Sequence, residues 1–528
     1  AATERLLDIA SRLQTAATDA PAEKPESSVR KSLDDRLRDA LITGDPSHLA
    51  DDLTEALSAY DSPLKIIAGP LMDGINRVGT LFGEGRMFLP QVVKTARTMK
   101  MAVDFLQPHI IASYGGADAD SEIHYTGTAL LATVKGDVHD IGKNIVGVIL
   151  SCNGYRIIDL GVMVPQQTII DAIRAHRPDF VCLSGLITPS LAEMCRTVEM
   201  MRDANLCVPV MIGGAATSEL HTAVKIAPLY PENAIIHVRD AAVNPVVAAR
   251  LLDPEQRDAF IAEVHAAQDA ARAAHADKPQ PQSDPSRRFQ IASDYCPATP
   301  PFTGLRRLPL IPVADLIPLI DWSYFYHAWK IKADNPEAAK LRADADALLS
   351  SLAANPAMGV EAAQAFYPAR SAGDAIEIDG PDGKVTIPTK RQAKSAEPDG
   401  TLLALCDFVA TAGDHVGTFA ATVSQAFTAE LDAVKSGSDP YAALLMHTVG
   451  DRLVEAASEH IHRLTGLGGI RPAVGYPSFP DQRNIFALAR LIPYPDLGIT
   501  LTSTGAMSPP SSVTGLYLSH PSARYFNT

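Results

Sequence analysis

The stretch GTALLATVKGDVHDIGKNIVGVILSCNGYRIIDLGVMVP, residues 127–165, carries the strongest structural signal in the chain. Two short apolar runs, GTALLATV and YRIIDL, flank a helical segment that starts near Gly142. The same alternation continues through three further apolar runs, at residues 179–185, 208–214 and 234–238. Apolar strands alternating with helices predict a parallel sheet covered on both faces. We therefore predict a doubly wound α/β domain, Rossmann-like or flavodoxin-like, over residues 123–264.

Small residues dominate the positions where the predicted strands end. The segments GVMVP, SGLITPS, GGAAT and RDAA follow successive strands, at residues 161–165, 184–190, 213–217 and 239–242. Ligands of open parallel sheets bind at the carboxyl ends of the strands, where loops and helix N-termini meet. Small side chains let a bulky ligand approach the backbone closely. The sequence therefore predicts a binding crevice at this end of the sheet.

The segment GDVHDIG, residues 136–142, places chemistry at that crevice. A carboxylate two residues before His139, from Asp137, can fix the tautomer of the imidazole and raise the basicity of its far nitrogen. The loop offers one good ligand and no second His or Cys, so a protein-coordinated zinc or iron is not expected. A lone histidine suits a metal whose other ligands come from a macrocycle.

Two plainer interpretations of this loop stay open at this stage. In one, Asp140 caps the following helix and His139 is an ordinary loop histidine. In the other, the domain is receiver-like, and an Asp at a strand end accepts a phosphoryl group. The distribution of Gly, Ser and Thr over all the strand ends favours a ligand crevice over both.

The regions on either side of the sheet domain have different sequence patterns. Residues 1–114 show apolar residues at helical spacing, beginning with AATERLLDIASRLQ, and predict a helical bundle. GGADADSE, residues 115–122, reads as a linker, and the Pro- and charge-rich residues 265–290 predict a second, partly disordered one. Residues 291–528 mix helices with a hairpin, AIEIDGPDGKVTIP, and predict an α+β domain.

Composition excludes several classes of partner. Lys and Arg number 46 and Asp and Glu 61, which gives a net charge of −15. This balance argues against nucleic acid and anionic membrane surfaces as partners. No stretch approaches the roughly 18 consecutive apolar residues of a membrane helix. The six cysteines form no CxxC pair, which favours a cytoplasmic protein and argues against a thiolate zinc site.

The motifs DVHDIGKN, LSGLITPS and IGGAATS together resemble the cobalamin-binding domain of the cobalamin-dependent methionine synthase family. The resemblance implies that His139 is the lower axial ligand of the cobalt, and that Asp137 and Ser190 complete a catalytic hydrogen-bonded relay. It also implies cobalamin contacts from a set of loop and strand-end residues: Gly136, Val138, Asp140, Gly142, Ser184, Thr188, Gly213, Gly214 and Ala241.

The segment LFGEGRMFLPQVVKTARTMK, residues 81–100, resembles the cap domain of the same family. The resemblance implies that Phe82, Phe88 and Leu89 cover the upper face of the corrin ring and shield its methyl group from water. The chain departs from the family at Ala68, where relatives often carry Glu, so a contact from that position is not expected.

Three C-terminal segments, DWSYFYHAW, GIRPAVGYPSFPDQ and GLYLSHPSARYF, resemble the S-adenosylmethionine-binding activation domain of that family. Asp321 suits the α-ammonium group of this ligand, and Arg471 suits its carboxylate as a bidentate fork. The aromatic and acidic residues expected near the sulfonium end, together with their neighbour Leu518, are Glu455, Tyr476, Tyr517 and Leu518.

The resemblance implies the cobalamin-binding and reactivation portion of methionine synthase, a methyltransferase acting from methyltetrahydrofolate to homocysteine. It implies methylcobalamin and S-adenosylmethionine as cofactors, a flavodoxin-like or other flavoprotein reductant, and separate homocysteine- and folate-binding modules. Nothing in the chain resembles those two modules. Two alternatives remain: a corrinoid methyl carrier for another acceptor, and a non-enzymatic cobalamin sensor.

Overall fold

The computed structural model of the chain describes residues 31–114, 125–276, 287–291, 295–437 and 439–528. It contains the three expected parts: a helical domain, a parallel α/β domain and a C-terminal α+β domain. The predicted fold class is confirmed. The predicted helix at the start of the chain and the linker at 115–122 lie outside the described residues. Within the described residues, every helix is too short or too polar to cross a membrane.

From residue 31 onward, the α-helices of the helical domain are α1 (Leu33–Thr43), α2 (Leu49–Ala59), α3 (Pro63–Ile66), α4 (Met72–Gly83) and α5 (Leu89–Tyr114). The Ser32 side chain caps α1 by accepting the Asp35 amide proton. Gly44 ends the same helix in the left-handed region, with φ of 67°. A Cβ at this glycine would lie 2.9 Å from the Lys94 Cβ, so the turn packs tightly on α5.

The α/β domain has five parallel strands, β1 (Gly127–Thr133), β2 (Tyr155–Asp159), β3 (Phe180–Ser184), β4 (Val210–Gly213) and β5 (Ile235–His237). The helices between and after them are α6 (Ile141–Ser151), α7 (Gln166–His176), α8 (Ser190–Asp203), α9 (Glu219–His221), α10 (Asn244–Leu252) and α11 (Arg257–Ala276). The strand order is β2-β1-β3-β4-β5. Strand order therefore reverses between β1 and β3, the point at which such sheets bind ligands.

The predicted linker was expected to begin at residue 265, but helix α11 occupies the chain as far as Ala276. The first part of the predicted linker is therefore helical. Two side-chain hydrogen bonds hold this part of the helix against the α/β domain. The Gln268 amide donates to the Ile235 carbonyl over 2.6 Å, and Arg272 donates to the Ala223 carbonyl over 2.7 Å. The alanine-rich sequence AAQDAARAAHA has a high helix propensity, which outweighed its polar composition.

The C-terminal domain is built on an antiparallel sheet of order β10-β9-β8-β11-β14, with two short strands, β6 and β7, also pairing with β8. Its strands are β6 (Gly304–Arg307), β7 (Ile311–Pro312), β8 (Gly359–Ala372), β9 (Ala375–Gly380), β10 (Gly383–Pro388), β11 (Asp414–Val423), β12 (Thr500–Leu501), β13 (Met507–Ser508) and β14 (Ser512–Tyr517). Its helices are α12 (Val313–Leu316), α13 (Trp322–Ala328), α14 (Pro336–Ala353), α15 (Gln425–Ser436), α16 (Pro440–Leu464) and α17 (Asn484–Leu488). The predicted hairpin is the β9–β10 pair.

One apolar cluster joins the helical and C-terminal domains. It contains Leu37 and Leu89 from the first and Trp329 and Phe427 from the second, together with Ile149 of the α/β domain. Separate apolar clusters fill the two faces of the parallel sheet. Burial of apolar surface is the main stabilising term in packing. The shared cluster therefore stabilises the contact among the three domains in this arrangement.

Two glycines allow a matched test of the packing at the end of α1. Gly44 and Gly85 both have positive φ, but a Cβ at Gly85 would have no atom within 4 Å. We expect Gly85→Ala to cost about 1 kcal/mol for the left-handed backbone alone. Gly44→Ala should cost at least about 1 kcal/mol more, because the methyl group also meets Lys94. Urea unfolding followed by circular dichroism measures both, and equal costs would contradict the packing described.

Candidate functional site

The carboxylate of Asp137 is the hub of the loop between β1 and α6. Its side chain is fully buried. Oδ1 lies 2.7 Å from His139 Nδ1 and also accepts the His139 backbone N–H over 3.1 Å. The carboxylate is an acceptor, so it places the imidazole proton on Nδ1 and leaves Nε2 with a lone pair.

The second oxygen of this carboxylate binds the loop that follows β3. Oδ2 accepts from Ser190 Oγ over 2.6 Å and from the Leu186 and Ile187 amides over 2.7 and 3.3 Å. On the other side, the Met163 amide donates to the Asp137 carbonyl over 3.0 Å. Asp137 thereby connects the ends of three neighbouring strands, and the expected contacts of Asp137 with His139 and Ser190 are both present.

The charge of Asp137 follows from these contacts. Burial alone would raise the pKa of this carboxyl, but the hydrogen bonds and charge of His139 and the donors Ser190 and Leu186 outweigh it. The net result lowers the pKa from 3.8 to about 2. The group is therefore an anion at neutral pH, which is the form that holds the imidazole.

The His139 imidazole is placed to serve as a ligand. Its side chain is 29% exposed, and Nε2 has no hydrogen-bond partner within the described part of the chain. The described residues contain no group of three His, Cys, Asp or Glu side chains that could hold a metal ion. A single imidazole with an oriented free nitrogen matches a metal that brings its remaining ligands in a macrocycle.

The strand ends around His139 leave room for such a group. A Cβ at Gly142 would meet no atom within 4 Å, and one at Gly213 only the Val238 carbonyl at 3.9 Å, so both glycines border open space. Ser184 is half-buried, and Thr188 is exposed. These residues leave space for a macrocyclic ligand beside His139, and the role of His139 as a ligand of cobalt stays a prediction.

Gly214 has a different reason to be glycine. Its φ is 114°, and a Cβ there would lie only 2.0 Å from the Gly185 carbonyl oxygen. The close approach of the β3 and β4 ends therefore requires it. Its predicted contact with cobalamin stays a prediction.

Asp140 does not cap α6, which was one of the interpretations left open by the sequence. Its side chain makes no capping hydrogen bond. Oδ2 instead accepts from Lys435 Nζ over 3.3 Å, and Oδ1 lies 3.5 Å from His447 Nδ1 without a hydrogen bond. Burial opposes ionisation, but the charges of Lys435 and His447 outweigh it and lower the pKa of Asp140. The carboxylate thus faces helices α15 and α16 of the C-terminal domain.

The other end of the His139 loop is also held by the C-terminal domain. The hydroxyls of Thr502 and Thr504 both donate to the Gly136 carbonyl, over 2.8 and 2.6 Å. A Cβ at Gly136 would lie 2.5 Å from Thr504, and its φ is 81°. Between these ends, Val138 packs on Ile187 and Ala506. In this arrangement Gly136 and Val138 contact the C-terminal domain.

The three predicted cap residues pack in an apolar cluster that reaches the start of α6 at Ile141. Phe82, Phe88 and Leu89 pack into the apolar cluster that joins the helical and C-terminal domains, and Ala241 packs against the same cluster. No hydrogen bond or apolar cluster in the described residues connects these four to His139. Their contact with a cofactor stays a prediction, to be sought in another arrangement of the domains.

The C-terminal domain contains a second candidate site, a cavity of about 1270 Å³. Four of the predicted ligand residues line it, namely Asp321, Glu455, Arg471 and Tyr476. Asp321 Oδ1 accepts from the Ser323 amide and hydroxyl, which lowers the pKa of Asp321. Its other oxygen makes no hydrogen bond to the described residues.

Tyr476 and Glu455 form a pair in this cavity, because the Tyr476 hydroxyl donates to Glu455 Oε1. Burial and the charge of Glu455 raise the pKa of Tyr476. The phenol is therefore a donor at neutral pH and holds the carboxylate that was expected near a sulfonium centre.

Arg471 differs from the expected open fork. Its Nε donates to Ser458 Oγ over 3.2 Å, and its Nη1 donates to Glu459 Oε2 over 2.6 Å. A side-on pairing through Nε with a ligand carboxylate is therefore blocked. The end of the guanidinium, with both Nη2 hydrogens and the second Nη1 hydrogen, is left to bind.

Tyr517 and Leu518 do not line the cavity. Both are buried, at 2% and 1% exposure. The Tyr517 ring stacks on His462 at 4.9 Å, and its hydroxyl has no partner among the described residues. Strand pairing of β14 with β11 turns this tyrosine into the core, which the motif GLYLSH did not reveal.

Sequence reasoning missed most of the other lining residues, among them Tyr324, Ser458, Glu459 and Tyr525. Ser458 and Glu459 lie three and four residues after Glu455 on α16, so helical spacing was a usable signal for them. Tyr525 receives the Arg471 amide proton at its hydroxyl over 3.1 Å, and it stands within the quoted segment GLYLSHPSARYF.

Comparison with known families identifies the domains in which these two candidate sites lie. Residues 127–227 and residues 33–107 match two families, each described as a B12 binding domain. Residues 312–467 and 465–528 match the activation domain of vitamin B12-dependent methionine synthase. The fold and the site thus define a cobalamin-binding protein whose domains are associated with methyl transfer. In order along the chain, the matched families are a B12 binding domain, a second B12 binding domain and the activation domain of vitamin B12-dependent methionine synthase, which supports similarity to the C-terminal portion of that family.

Several solved structures are similar to the chain. The MetH reactivation domain bound to AdoHcy is 26% identical, with 47% of this chain and 90% of that one covered and a TM-score of 0.43. The methanol:cobalamin methyltransferase complex MtaBC from Methanosarcina barkeri is 24% identical, with coverage of 50% and 96% and a TM-score of 0.39. A cobalamin-binding protein from Desulfitobacterium hafniense is 24% identical, with coverage of 41% and 97% and a TM-score of 0.31.

The lowered pKa of Asp137 predicts an acid-sensitive site. The folded-state pKa of about 2 lies below the ordinary 3.8, so the stabilising contribution is present above pH 3.8 and is lost as pH falls toward 2. We expect the difference in unfolding free energy between wild type and Asp137→Asn to be constant at neutral pH and to shrink across that window. Urea unfolding at stepped pH measures it. Asp104→Asn, at an exposed site, is the control, and a difference independent of pH would contradict this assignment.

The two threonines on Gly136 predict a measurable contribution to docking of the C-terminal domain. Replacing both by valine keeps the side-chain shape and removes the two hydrogen bonds to Gly136, each worth about 1 kcal/mol, together with the bond that the Ala506 amide donates to Thr502 and the contact between the two hydroxyls. We expect Thr502→Val with Thr504→Val to raise amide hydrogen exchange in the segment 133–142 at least about tenfold. Thr500→Val, at an exposed position, is the control. Unchanged exchange in the double variant would show that these contacts do not hold the domains together.

Proposed function

We propose that this chain is the cobalamin-binding and reactivation portion of a methionine synthase, a methyltransferase that acts from methyltetrahydrofolate to homocysteine. The observation that carries the proposal is the docking of an activation domain, with its own charged cavity, on the loop that presents His139. Bound cobalamin supplies a cobalt centre that accepts and donates a methyl group. The protein residues would provide a side chain that binds the cobalt, hold a proton beside it and exclude water from the site.

In this proposal His139 would hold the cobalt of bound cobalamin through Nε2. Asp137 fixes the tautomer and carries the negative charge that makes the imidazole a better donor. Ser190 Oγ donates to the same carboxylate, and a proton held on the Asp137–His139 pair would stabilise the detached imidazole when the ligand leaves. Ser184 and Thr188 border the space beside the sheet where the nucleotide tail of the cofactor would lie.

The cavity of the C-terminal domain is the proposed site for S-adenosylmethionine. Arg471 would bind the carboxylate through the end of its guanidinium, and Asp321 would bind the α-ammonium group with its free oxygen. Glu455, held by Tyr476, would face the sulfonium charge. Tyr517 and Leu518 are left out of the contact set because both are buried away from the cavity.

The proposed partners follow from what the chain lacks and from its charge. The homocysteine- and methyltetrahydrofolate-binding modules would be supplied in the same longer protein or separately. A low-potential flavoprotein, flavodoxin-like or a reductase, would supply the electron for reactivation. The net charge of −15 argues against nucleic acid and anionic membranes as partners, and a cytoplasmic location is proposed.

Mixing the full chain with methylcobalamin tests the axial ligand. We expect wild type to bind it and give the absorption spectrum of a cobalt alkyl with an axial nitrogen. His139→Gly should still bind, but with the spectrum of the ligand-free form. His48→Gly, at an exposed helix cap, is the matched control. An unchanged spectrum in His139→Gly would refute the ligand assignment.

A second arm separates the proposal from its alternatives. With cobalamin, a one-electron reductant and S-adenosylmethionine all present, we expect S-adenosylhomocysteine to accumulate, and to stop when any one is omitted. A cobalamin sensor would form none. With the two missing modules added, a preference for an amine or another thiol over homocysteine would identify a different methyl carrier.

A further inference from the structure

Glu459 binds two arginines at the wall of the C-terminal cavity. Its Oε2 accepts from Arg471 Nη1 over 2.6 Å, and its Oε1 accepts from Arg463 Nε over 2.7 Å. The carboxylate is 29% exposed, and all three side chains line the cavity. Both carboxylate oxygens of Glu459 therefore accept hydrogen bonds from protein side chains. The carboxylate does not need a ligand to complete its hydrogen bonding.

The carboxylate is held ionised by its neighbours. Burial would raise the pKa of Glu459, but the hydrogen bond from Arg463 and the charges of Arg471, Arg463 and His462 outweigh it and lower the pKa. A charged acceptor makes a stronger and more directional bond to a guanidinium than a neutral one. Arg471 is thus paired with a permanent anion on one side.

This pairing decides which edge of Arg471 is available. Ser458 takes Nε and Glu459 takes one hydrogen of Nη1, so the guanidinium is held at two of its three nitrogens. The remaining donors lie at its far end, on Nη2 and Nη1. An arginine held by a single contact would sample other rotamers and lose side-chain entropy when a ligand arrived.

We propose that Glu459 is a positioning residue for the S-adenosylmethionine site. It aims the free end of Arg471 into the cavity and so sets the preference for an adenosyl ligand that retains its amino-acid carboxylate. The inference rests on the proposed function of this cavity. It assigns Glu459 no contact with the ligand.

Isothermal calorimetry on the full chain with two probes tests the proposal. S-adenosylhomocysteine carries the amino-acid carboxylate, and methylthioadenosine keeps the adenosyl thioether without it. We expect Glu459→Gln to weaken S-adenosylhomocysteine binding about tenfold, a loss of about 1.4 kcal/mol. Binding of methylthioadenosine should not change. Glu430→Gln, an exposed position on α15, should change neither.

A second variant covers the case in which Glu459→Gln does not fold, as judged by circular dichroism. Ser458→Ala removes the Nε contact, together with the bond that the Ser458 hydroxyl donates to the Glu455 carbonyl within α16, and leaves Glu459 in place. It should weaken S-adenosylhomocysteine binding in the same selective way, by a smaller factor. Glu459→Asp, which keeps the charge, should recover part of the loss. If the charge-keeping variant recovers affinity, Glu459 acts by positioning Arg471. A role in general packing would not depend on the charge.

The outcomes separate this inference from the function on which it rests. Equal weakening of both probes, or no change for either, in a wild-type chain that binds S-adenosylhomocysteine would overturn the role of Glu459 alone. A wild-type chain that binds neither probe would overturn the proposed site and this inference with it. Selective loss of S-adenosylhomocysteine binding would support both.

Discussion

One buried carboxylate supports the rest of this site. Asp137 is removed from solvent, and an unpaired charge there would cost several kcal/mol. Five donors offset that cost: the His139 amide and ring, the Leu186 and Ile187 amides and the Ser190 hydroxyl. Because the donors come from two loops, satisfying the carboxylate also fixes the ends of β1 and β3 at the point where the strand order reverses. The same hydrogen bonds to the Asp137 carboxylate orient the His139 imidazole.

The same loop is where two domains meet. The C-terminal domain holds it at Gly136 through two threonine hydroxyls and at Asp140 through the Lys435 ammonium group. His139 lies between these two contacts, so any movement of the C-terminal domain acts on the segment that carries the imidazole. The helical domain is packed to the side through its apolar cluster. The arrangement thus pairs the cavity-bearing domain directly with the candidate ligand.

Local patterns predicted a large part of this structure, and long-range contacts account for what they missed. Alternation of apolar runs with helices identified the parallel sheet, and the spacing of Asp137 and His139 identified the carboxylate–imidazole pair, because both are properties of short segments. The contacts of Thr502 and Thr504 with Gly136 join positions more than 360 residues apart, which no local pattern encodes. The extra length of α11 and the burial of Tyr517 were missed for related reasons: helix propensity outweighed polarity in the first, and sheet pairing fixed the side chain in the second.

The tautomer of His139 tests the central claim most directly. Long-range proton–nitrogen correlation spectra of the histidine-labelled chain without cofactor, recorded well above the ordinary histidine pKa of about 6.5, report which ring nitrogen carries the proton. The His139 signals can be assigned by their loss in His139→Gln. We predict a protonated Nδ1 facing Asp137 and a bare Nε2. A proton on Nε2 with a bare Nδ1 would contradict the account, because the nitrogen offered to the metal would then be blocked.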